Sequence, residues 1–240
     1  MRFTAEQRLD DGVLEREFTL GEVPGILWTP GSAPAPLILS GHNGGLHKRH
    51  PRLVARARHY AAEYGFAVAA IDAPGHGDRP RSAVDEQARA DLRQALAAGQ
   101  PVDEIVDAFI LPLVERAVPE WRATLDALLS LPEIGATVGY EGMTASGIRL
   151  AVAEPRISAV NFFAQGFVPG TLRQEARQVT VPLQFLMQWD DEGMERQPTL
   201  DLFDAFGTSE KTLHANLGGH AGTPWFEVDA AAWFFTRHLK

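Results

Sequence analysis

The sequence predicts an α/β fold in which a mainly parallel sheet carries helices on both faces. Short apolar runs typical of buried strands alternate with amphipathic helix patterns along most of the chain. The composition is that of a globular protein, with 45% hydrophobic and 22% charged residues among 240. A chain of this length suits one large α/β domain or two small ones, and it can bury its core without disulfides or structural metal. We predict a single domain, 1–240.

The predicted elements follow in order from hydrophobic periodicity and from Gly and Pro turn signals. Three strands open the chain, and a helix and a buried strand follow them. From there, helices and strands alternate to the end. The strands are predicted at 15–20, 23–28, 37–40, 66–71, 136–140, 157–163, 182–189 and 211–215, and the helices at 50–64, 120–131, 146–153, 199–206 and 225–238.

One segment departs from this alternation. Residues 79–119 contain two helical patterns, 83–98 and 102–117, and no strand candidate. We therefore predict a helical insertion between a strand and the next helix of the sheet. Such an insertion fits either a lid over a pocket or additional helical packing, and the sequence leaves both open.

Charge and composition exclude several classes of protein. With 22 Lys and Arg against 31 Asp and Glu, the net charge is −9, which disfavours nucleic acid and anionic membranes as partners. Cys is absent, which excludes a thiolate nucleophile and Cys-ligated metal. The longest clean apolar run, 66–71, is too short to span a membrane, and the first residues lack the apolar region of a signal peptide. We expect a soluble, cytoplasmic protein, and homodimer formation is left open.

The loops that follow the predicted strands hold the residues suited to chemistry, because ligands bind beyond the carboxyl ends of strands in such sheets. The turn 41–45, Gly-His-Asn-Gly-Gly, has small residues that let backbone N–H groups point into a pocket. A tight turn, 72–79, follows the next strand. Asp190 and Asp191 follow a later strand, and His220 lies in a glycine-rich loop after the last one.

These features together resemble the α/β-hydrolase fold, of the dienelactone-hydrolase-like or esterase-like kind. The turn 72–77, the stretch 188–192 and the loop 218–220 carry the resemblance, which extends from about residue 23 to 239. It implies a triad in the order nucleophile, acid, base. His220 would be the general base, and Asp191 would orient it.

The resemblance places the nucleophile in the turn 142–147, Gly-Met-Thr-Ala-Ser-Gly. In the pattern G-x-S-x-G, Thr144 then takes the nucleophile position and Ser146 replaces the closing glycine. This position requires a positive φ, which is costly for a β-branched residue such as Thr. A frame centred on Ser146 fits worse, because it needs glycine at Thr144 and at Ile148.

The remaining site residues follow from the same resemblance. The backbone N–H groups of Ala145 and of Asn43 or Gly44 are expected to bind the oxyanion. The substrate pocket is expected to include His42, Met143 and Trp189. No metal or other cofactor is expected, since His42, His47 and His50 match no standard ligand spacing.

Three functions remain open for a small-molecule substrate. The first is hydrolysis of a small carboxylic ester or lactone through Thr144, His220 and Asp191. The second is a lyase, cyclase or isomerase reaction in which His220 acts as an acid or base and no acyl-enzyme forms. The third is binding without catalysis.

Overall fold

The computed structural model describes residues 1–31, 34–164 and 166–240. Its described part contains nine strands in one continuous sheet: β1 (Arg2–Arg8), β2 (Leu14–Leu20), β3 (Val23–Thr29), β4 (Ala35–Ser40), β5 (Ala67–Ile71), β6 (Ile134–Met143), β7 (Ile157–Phe163), β8 (Leu183–Gln188) and β9 (Lys211–Asn216). Their order across the sheet is β1-β2-β3-β5-β4-β6-β7-β8-β9. Strands β1 to β3 and the β3–β5 pair are antiparallel, and every pair from β5 to β9 is parallel. The carboxyl ends of the parallel strands therefore meet at one edge.

Helices cover both faces of the sheet, as the sequence predicts. They are α1 (Pro51–Tyr64), α2 (Ala83–Ala97), α3 (Asp103–Leu129), α4 (Thr144–Ala153), α5 (Gly170–Glu175), α6 (Arg196–Ala205) and α7 (Phe226–Leu239). Because side chains alternate along a strand, Ile38 packs toward α1 and α7, whereas Leu37 and Leu39 pack in the cluster that includes α3 and α4. No helix in the described ranges is both long and apolar enough to cross a membrane.

Strand β1 was not predicted, because it lacks the alternation that a buried face imposes. All seven of its residues are exposed, and it is the edge strand paired to β2. Charged side chains such as Arg2, Glu6 and Arg8 are typical of such edges. The N-terminal residues therefore extend the sheet without contributing to its core.

The segment 79–119 is helical, but it does not form a unit of its own. Helix α3 runs without a break through Pro112 and Pro119 and covers residues 120–129 of the separately predicted helix 120–131. Val114, Val118 and Trp121 of α3 lie in the main buried cluster, which offsets the backbone hydrogen bonds that the two prolines remove. The second half of the segment is thus a core helix of the fold.

Candidate active site

A cavity of about 330 Å³ opens at the carboxyl ends of the parallel strands. Its wall includes the turn 41–44, Arg56 and Tyr60 of α1, Asn161 of β7, and His220. We refer to it as the His220 cavity. Among the described residues that line it, none comes from 79–119.

His220 and Asp191 lie together, as the sequence predicts. The two carboxylate oxygens of Asp191 lie 2.9 and 3.0 Å from His220 Nδ1. Only 4% of the Asp191 side chain is exposed, whereas 44% of the His220 side chain is. Since Asp191 engages Nδ1, acid–base chemistry at this ring falls to Nε2.

The two acids beside Asp191 hold the backbone of the loop 218–220 that carries His220. The sequence analysis did not predict this role. Asp190 accepts hydrogen bonds from the N–H groups of Gly218 and Gly219, at 2.9 and 3.0 Å. Glu192 accepts one from the N–H of His220 at 2.9 Å. The Gly219 and Gly218 N–H groups lower the pKa of Asp190, so its carboxylate stays ionised while it holds the loop. Three consecutive acids after a strand were the available signal.

The predicted oxyanion turn lines the same cavity. Asn43 and Gly44 both contribute to the wall. His42 Nδ1 donates to the Asn43 carbonyl at 2.9 Å, and its Nε2 accepts from the N–H of Ala73 at 3.0 Å. Burial lowers the pKa of His42, which matches the neutral ring that this pair of bonds requires. His42 therefore shapes the turn as well as lining the pocket.

A buried ion cluster anchors the end of this turn. Lys48 Nζ lies 2.6 Å from Asp72 and 2.5 Å from Asp78, and Asp72 also accepts the Lys48 N–H at 2.9 Å. Asp72 is fully buried. Burial alone would raise the pKa of Asp72, but its hydrogen bonds with Lys48 and Asp78 outweigh that effect and lower it. The cluster ties the oxyanion turn to the turn 72–79 that carries the resemblance.

The residue with a positive φ near the end of β6 is Gly142, not Thr144. Gly142 has φ +129°, and no described residue other than glycine has a positive φ. A Cβ at Gly142 would lie 2.4 Å from the Gly41 carbonyl oxygen and 2.8 Å from its Cα. The expectation that Thr144 takes the strained conformation is therefore wrong, and the residue at that bend has no side chain to act as a nucleophile.

Thr144 is the first residue of α4, and its hydroxyl makes a hydrogen bond to the backbone. Its hydroxyl donates to the Phe163 carbonyl at 2.8 Å. The side chain is 2% exposed and lines a separate small cavity together with Arg173 and Phe185. The nucleophile was predicted in the turn 142–147, but β6 continues to Met143, and the bend at Gly142 precedes Thr144 by two residues.

Three other predicted site residues do not line the His220 cavity. Ala145 is buried in the first turn of α4, and Met143 immediately precedes that helix. Trp189 is 41% exposed, and the Arg196 guanidinium lies 4.0 Å from its ring centroid. None of the three is among the described residues that line the cavity. Of the three predicted pocket residues, His42 alone is among the described residues that line the cavity.

Glu141 forms a buried polar cluster at the His220 cavity that was not assigned from the sequence. Its Oε1 accepts from Ser40 Oγ at 2.7 Å and from Arg56 Nε at 2.6 Å, and its Oε2 accepts from the Tyr60 hydroxyl at 3.1 Å. Glu141 is fully buried. The burial of Tyr60, and next to it the negative charge of Glu141, raise the pKa of the Tyr60 hydroxyl. The Tyr60 hydroxyl is thus a proton donor here rather than a base.

The described residues hold no group of three or more His, Asp or Glu side chains arranged as metal ligands. Both ring nitrogens of His42 are engaged by the backbone of Asn43 and Ala73. The His42 ring therefore holds the backbone of the turn 41–45 in place.

Comparison with known proteins places this arrangement in a family. The structure of a PEG-bound cold-adapted esterase from an Arctic intertidal metagenomic library is 30% identical in sequence, with a TM-score of 0.79 over 100% of both chains. The chain belongs to the α/β-hydrolase-fold esterases. Carboxylic ester hydrolysis is the activity of this family. No family model and no curated protein matches the sequence.

More distant structures share the family's fold. The Pyrococcus furiosus esterase Pf2001 is 11% identical, with a TM-score of 0.67 over 100% of this chain and 93% of the other. Acetyl xylan esterase 1 from Thermoanaerobacterium is 12% identical, with a TM-score of 0.67 over 98% of this chain and 87% of the other. At these identities the likeness concerns the fold alone.

Proposed function

We propose that the protein hydrolyses small carboxylic esters or lactones in the His220 cavity, with His220 as the general base. The observation that carries the proposal is the pairing of His220 with the Asp191 carboxylate at a cavity that Asn43 and Gly44 also line. A histidine oriented by a carboxylate and facing backbone N–H donors suits attack on a carbonyl group. Membership of an esterase family supports the same reaction class.

Water is the proposed nucleophile. The bend at Gly142 has no nucleophilic side chain, and the Thr144 hydroxyl donates a hydrogen bond to the Phe163 carbonyl. His220 Nε2 takes a proton from water while the water oxygen attacks the carbonyl carbon, and the oxyanion is bound by the N–H groups of Asn43 and Gly44. Collapse expels the alkoxide, which takes the proton back from His220. The products are the acid and the alcohol, and no step needs a cofactor.

The neighbouring residues act through His220 and the oxyanion turn. Asp190 and Glu192 hold the loop that carries His220, and Arg52 Nη1 adds a bond to the Ala221 carbonyl at 2.9 Å. These contacts fix the imidazole relative to the turn 41–44. Such preorganisation lowers the reorganisation that the transition state requires.

Thr144 as nucleophile is the competing hydrolytic mechanism. It requires the Thr144 side chain to leave the Phe163 carbonyl and to reach the other cavity. Substitution separates the two mechanisms. We expect Thr144→Ala to keep ester hydrolysis within a few-fold of the wild type, whereas His220→Ala lowers kcat by about 10²–10⁴-fold.

The experiment uses p-nitrophenyl acetate and butanoate, small lactones, and a reactive phosphonate. Thr137→Ala is the matched control for Thr144→Ala, because the Thr137 hydroxyl also donates to a backbone carbonyl at 2.8 Å, at the far end of β6. We expect turnover in the wild type and in both threonine variants, with no phosphonate on Thr144. Full activity in His220→Ala would refute the proposed site. Loss of activity in Thr144→Ala, but not in Thr137→Ala, would favour the threonine mechanism.

A second function fits the glycine at the bend. Without a nucleophilic side chain at Gly142, the same cavity suits a lyase, cyclase or isomerase reaction in which His220 moves a substrate proton. The ester panel separates this function from the first. A folded wild-type protein that hydrolyses none of the esters or lactones would favour it.

A further inference from the structure

A row of buried polar side chains crosses the sheet beneath the His220 cavity. Ser40 of β4 pairs in register with Glu141 of β6, Glu141 with Asn161 of β7, and Asn161 with Gln184 of β8. Each of the four side chains is at most 2% exposed. In-register residues of adjacent parallel strands point to the same face, so the four lie side by side.

The hydrogen-bond donors at one end of this row are already engaged. Arg56 donates through Nε to Glu141 and through Nη2 to Ser40 Oγ, at 2.6 and 3.2 Å. The Tyr60 hydroxyl and Ser40 Oγ also donate to Glu141. Glu141 is therefore well satisfied.

Asn161 differs from its neighbours in the row. Its Oδ1 is buried and has no hydrogen-bond partner within the part of the chain that the structure describes. Asn161 is 1% exposed, yet it lines the His220 cavity. A buried amide oxygen without a donor is unfavourable in a folded protein. At the wall of a substrate cavity, such an acceptor indicates that a ligand supplies the missing donor.

We propose that Asn161 is a specificity-determining residue that accepts a hydrogen bond from the substrate. The substrate class is then carboxylic esters that carry a hydroxyl or amide N–H donor on the part that enters the cavity. An apolar isostere leaves Oδ1 unpaired and places a methyl group against it, so it is disfavoured. The inference rests on the proposed function for its reaction, whereas recognition of the donor is measurable without turnover.

The first test uses the wild-type protein and isosteric pairs of p-nitrophenyl esters. The pairs are glycolate and propanoate, lactate and 2-methylpropanoate, and 3-hydroxybutanoate and 3-methylbutanoate, which differ by a hydroxyl in place of a methyl group. We expect kcat/KM for the hydroxylated member of at least one pair to be higher by roughly tenfold or more. Equal values, or preference for the methyl member in all three pairs, would overturn the proposal.

The second test uses Asn161→Leu, which keeps the size of the side chain and removes the acceptor. Ser158→Ala is the control, because Ser158 lies on the same strand and its hydroxyl donates to the Arg156 carbonyl. We expect Asn161→Leu to abolish the hydroxyl preference, because kcat/KM falls more for the hydroxylated member than for the methyl member, and Ser158→Ala to keep the preference. Survival of the preference in Asn161→Leu would refute the role of Asn161.

A binding measurement separates this inference from the proposed reaction. Calorimetric titration with the simple amides of the same acids reports recognition without ester cleavage. If no ester is hydrolysed but the hydroxylated amide binds more tightly to the wild type than to Asn161→Leu, the inference stands and the proposed hydrolysis fails. If esters are hydrolysed without any hydroxyl preference in rate or in affinity, the inference fails and the hydrolysis stands.

Discussion

Substitution of Gly142 by serine tests whether the bend after β6 has room for a nucleophile. The Cβ of the new side chain would lie 2.4 Å from the Gly41 carbonyl oxygen and 2.8 Å from the Gly41 Cα. Both are backbone atoms of the turn that follows β4, so they cannot rotate away as a flexible side chain would. A non-glycine residue at φ +129° adds its own strain.

These two effects set the size of the expected change. Backbone strain of this kind costs about 1–3 kcal/mol, and overpacking adds about 1–3 kcal/mol. We therefore expect Gly142→Ser to lower the free energy of unfolding by roughly 2–6 kcal/mol, a large part of the stability of an ordinary domain. The measurement is urea denaturation followed by circular dichroism, with the slope compared between variants.

Gly170→Ser is the matched control. Gly170 has an ordinary φ and is exposed, and a Cβ added to it would meet no atom within 4 Å. We expect its substitution to change stability by less than about 0.5 kcal/mol. If Gly142→Ser were as stable as the wild type, the bend would accept a side chain, and the argument that no nucleophile fits there would be refuted.

Three further substitutions test the parts of the site. Asp191→Asn should lower kcat by about 10²–10⁴-fold without unfolding the protein, and ester hydrolysis within twofold of wild type would contradict the role of Asp191. Lys48→Met leaves buried Asp72 unpaired and should cost about 3–5 kcal/mol in urea denaturation, whereas an unchanged midpoint would show that the ion cluster does not hold the turn. Burial lowers the pKa of His76 from 6.5 to about 4, and Arg89 Nη2 lies 3.0 Å from its Nε2. Between pH 6.5 and pH 4, His76 is protonated in the unfolded state but neutral in the folded state. The free energy of unfolding is therefore highest above pH 6.5 and falls by about 3 kcal/mol as the pH is lowered toward 4. His76→Gln should flatten this dependence in urea midpoints at pH 7 and pH 4.5, and an unchanged pH dependence would contradict it.

The sheet was predictable because its central strands are buried on both faces and read as continuous apolar runs. Strand β7, 157–163, has the predicted bounds. Strand β1 escaped prediction because neither of its faces is buried. Separate helices were predicted at 102–117 and 120–131, but tertiary packing of Val118 and Trp121 carries α3 through the proline at 119.

The site was predictable where a residue and its loop suffice. A glycine-flanked histidine and an acid after the preceding strand located His220 and Asp191, and their pairing is seen in the structure. The bend at Gly142 was missed because a backbone angle is not visible in a residue pattern, and the pattern G-x-S-x-G favoured the hydroxyl of Thr144. Asn161 was not predicted as a site residue, because its position depends on strand register. The register places it beside Glu141, and it lines the cavity.

The measurement that tests the central claim most directly is the intact mass of the protein during turnover of a p-nitrophenyl ester, quenched on the millisecond scale. Attack by water activated by His220 predicts p-nitrophenol release without an initial burst and without an acyl group on the protein, in the wild type and in Thr144→Ala alike. A burst of one equivalent, with an acyl group mapped to Thr144 and absent from Thr144→Ala, would contradict the account.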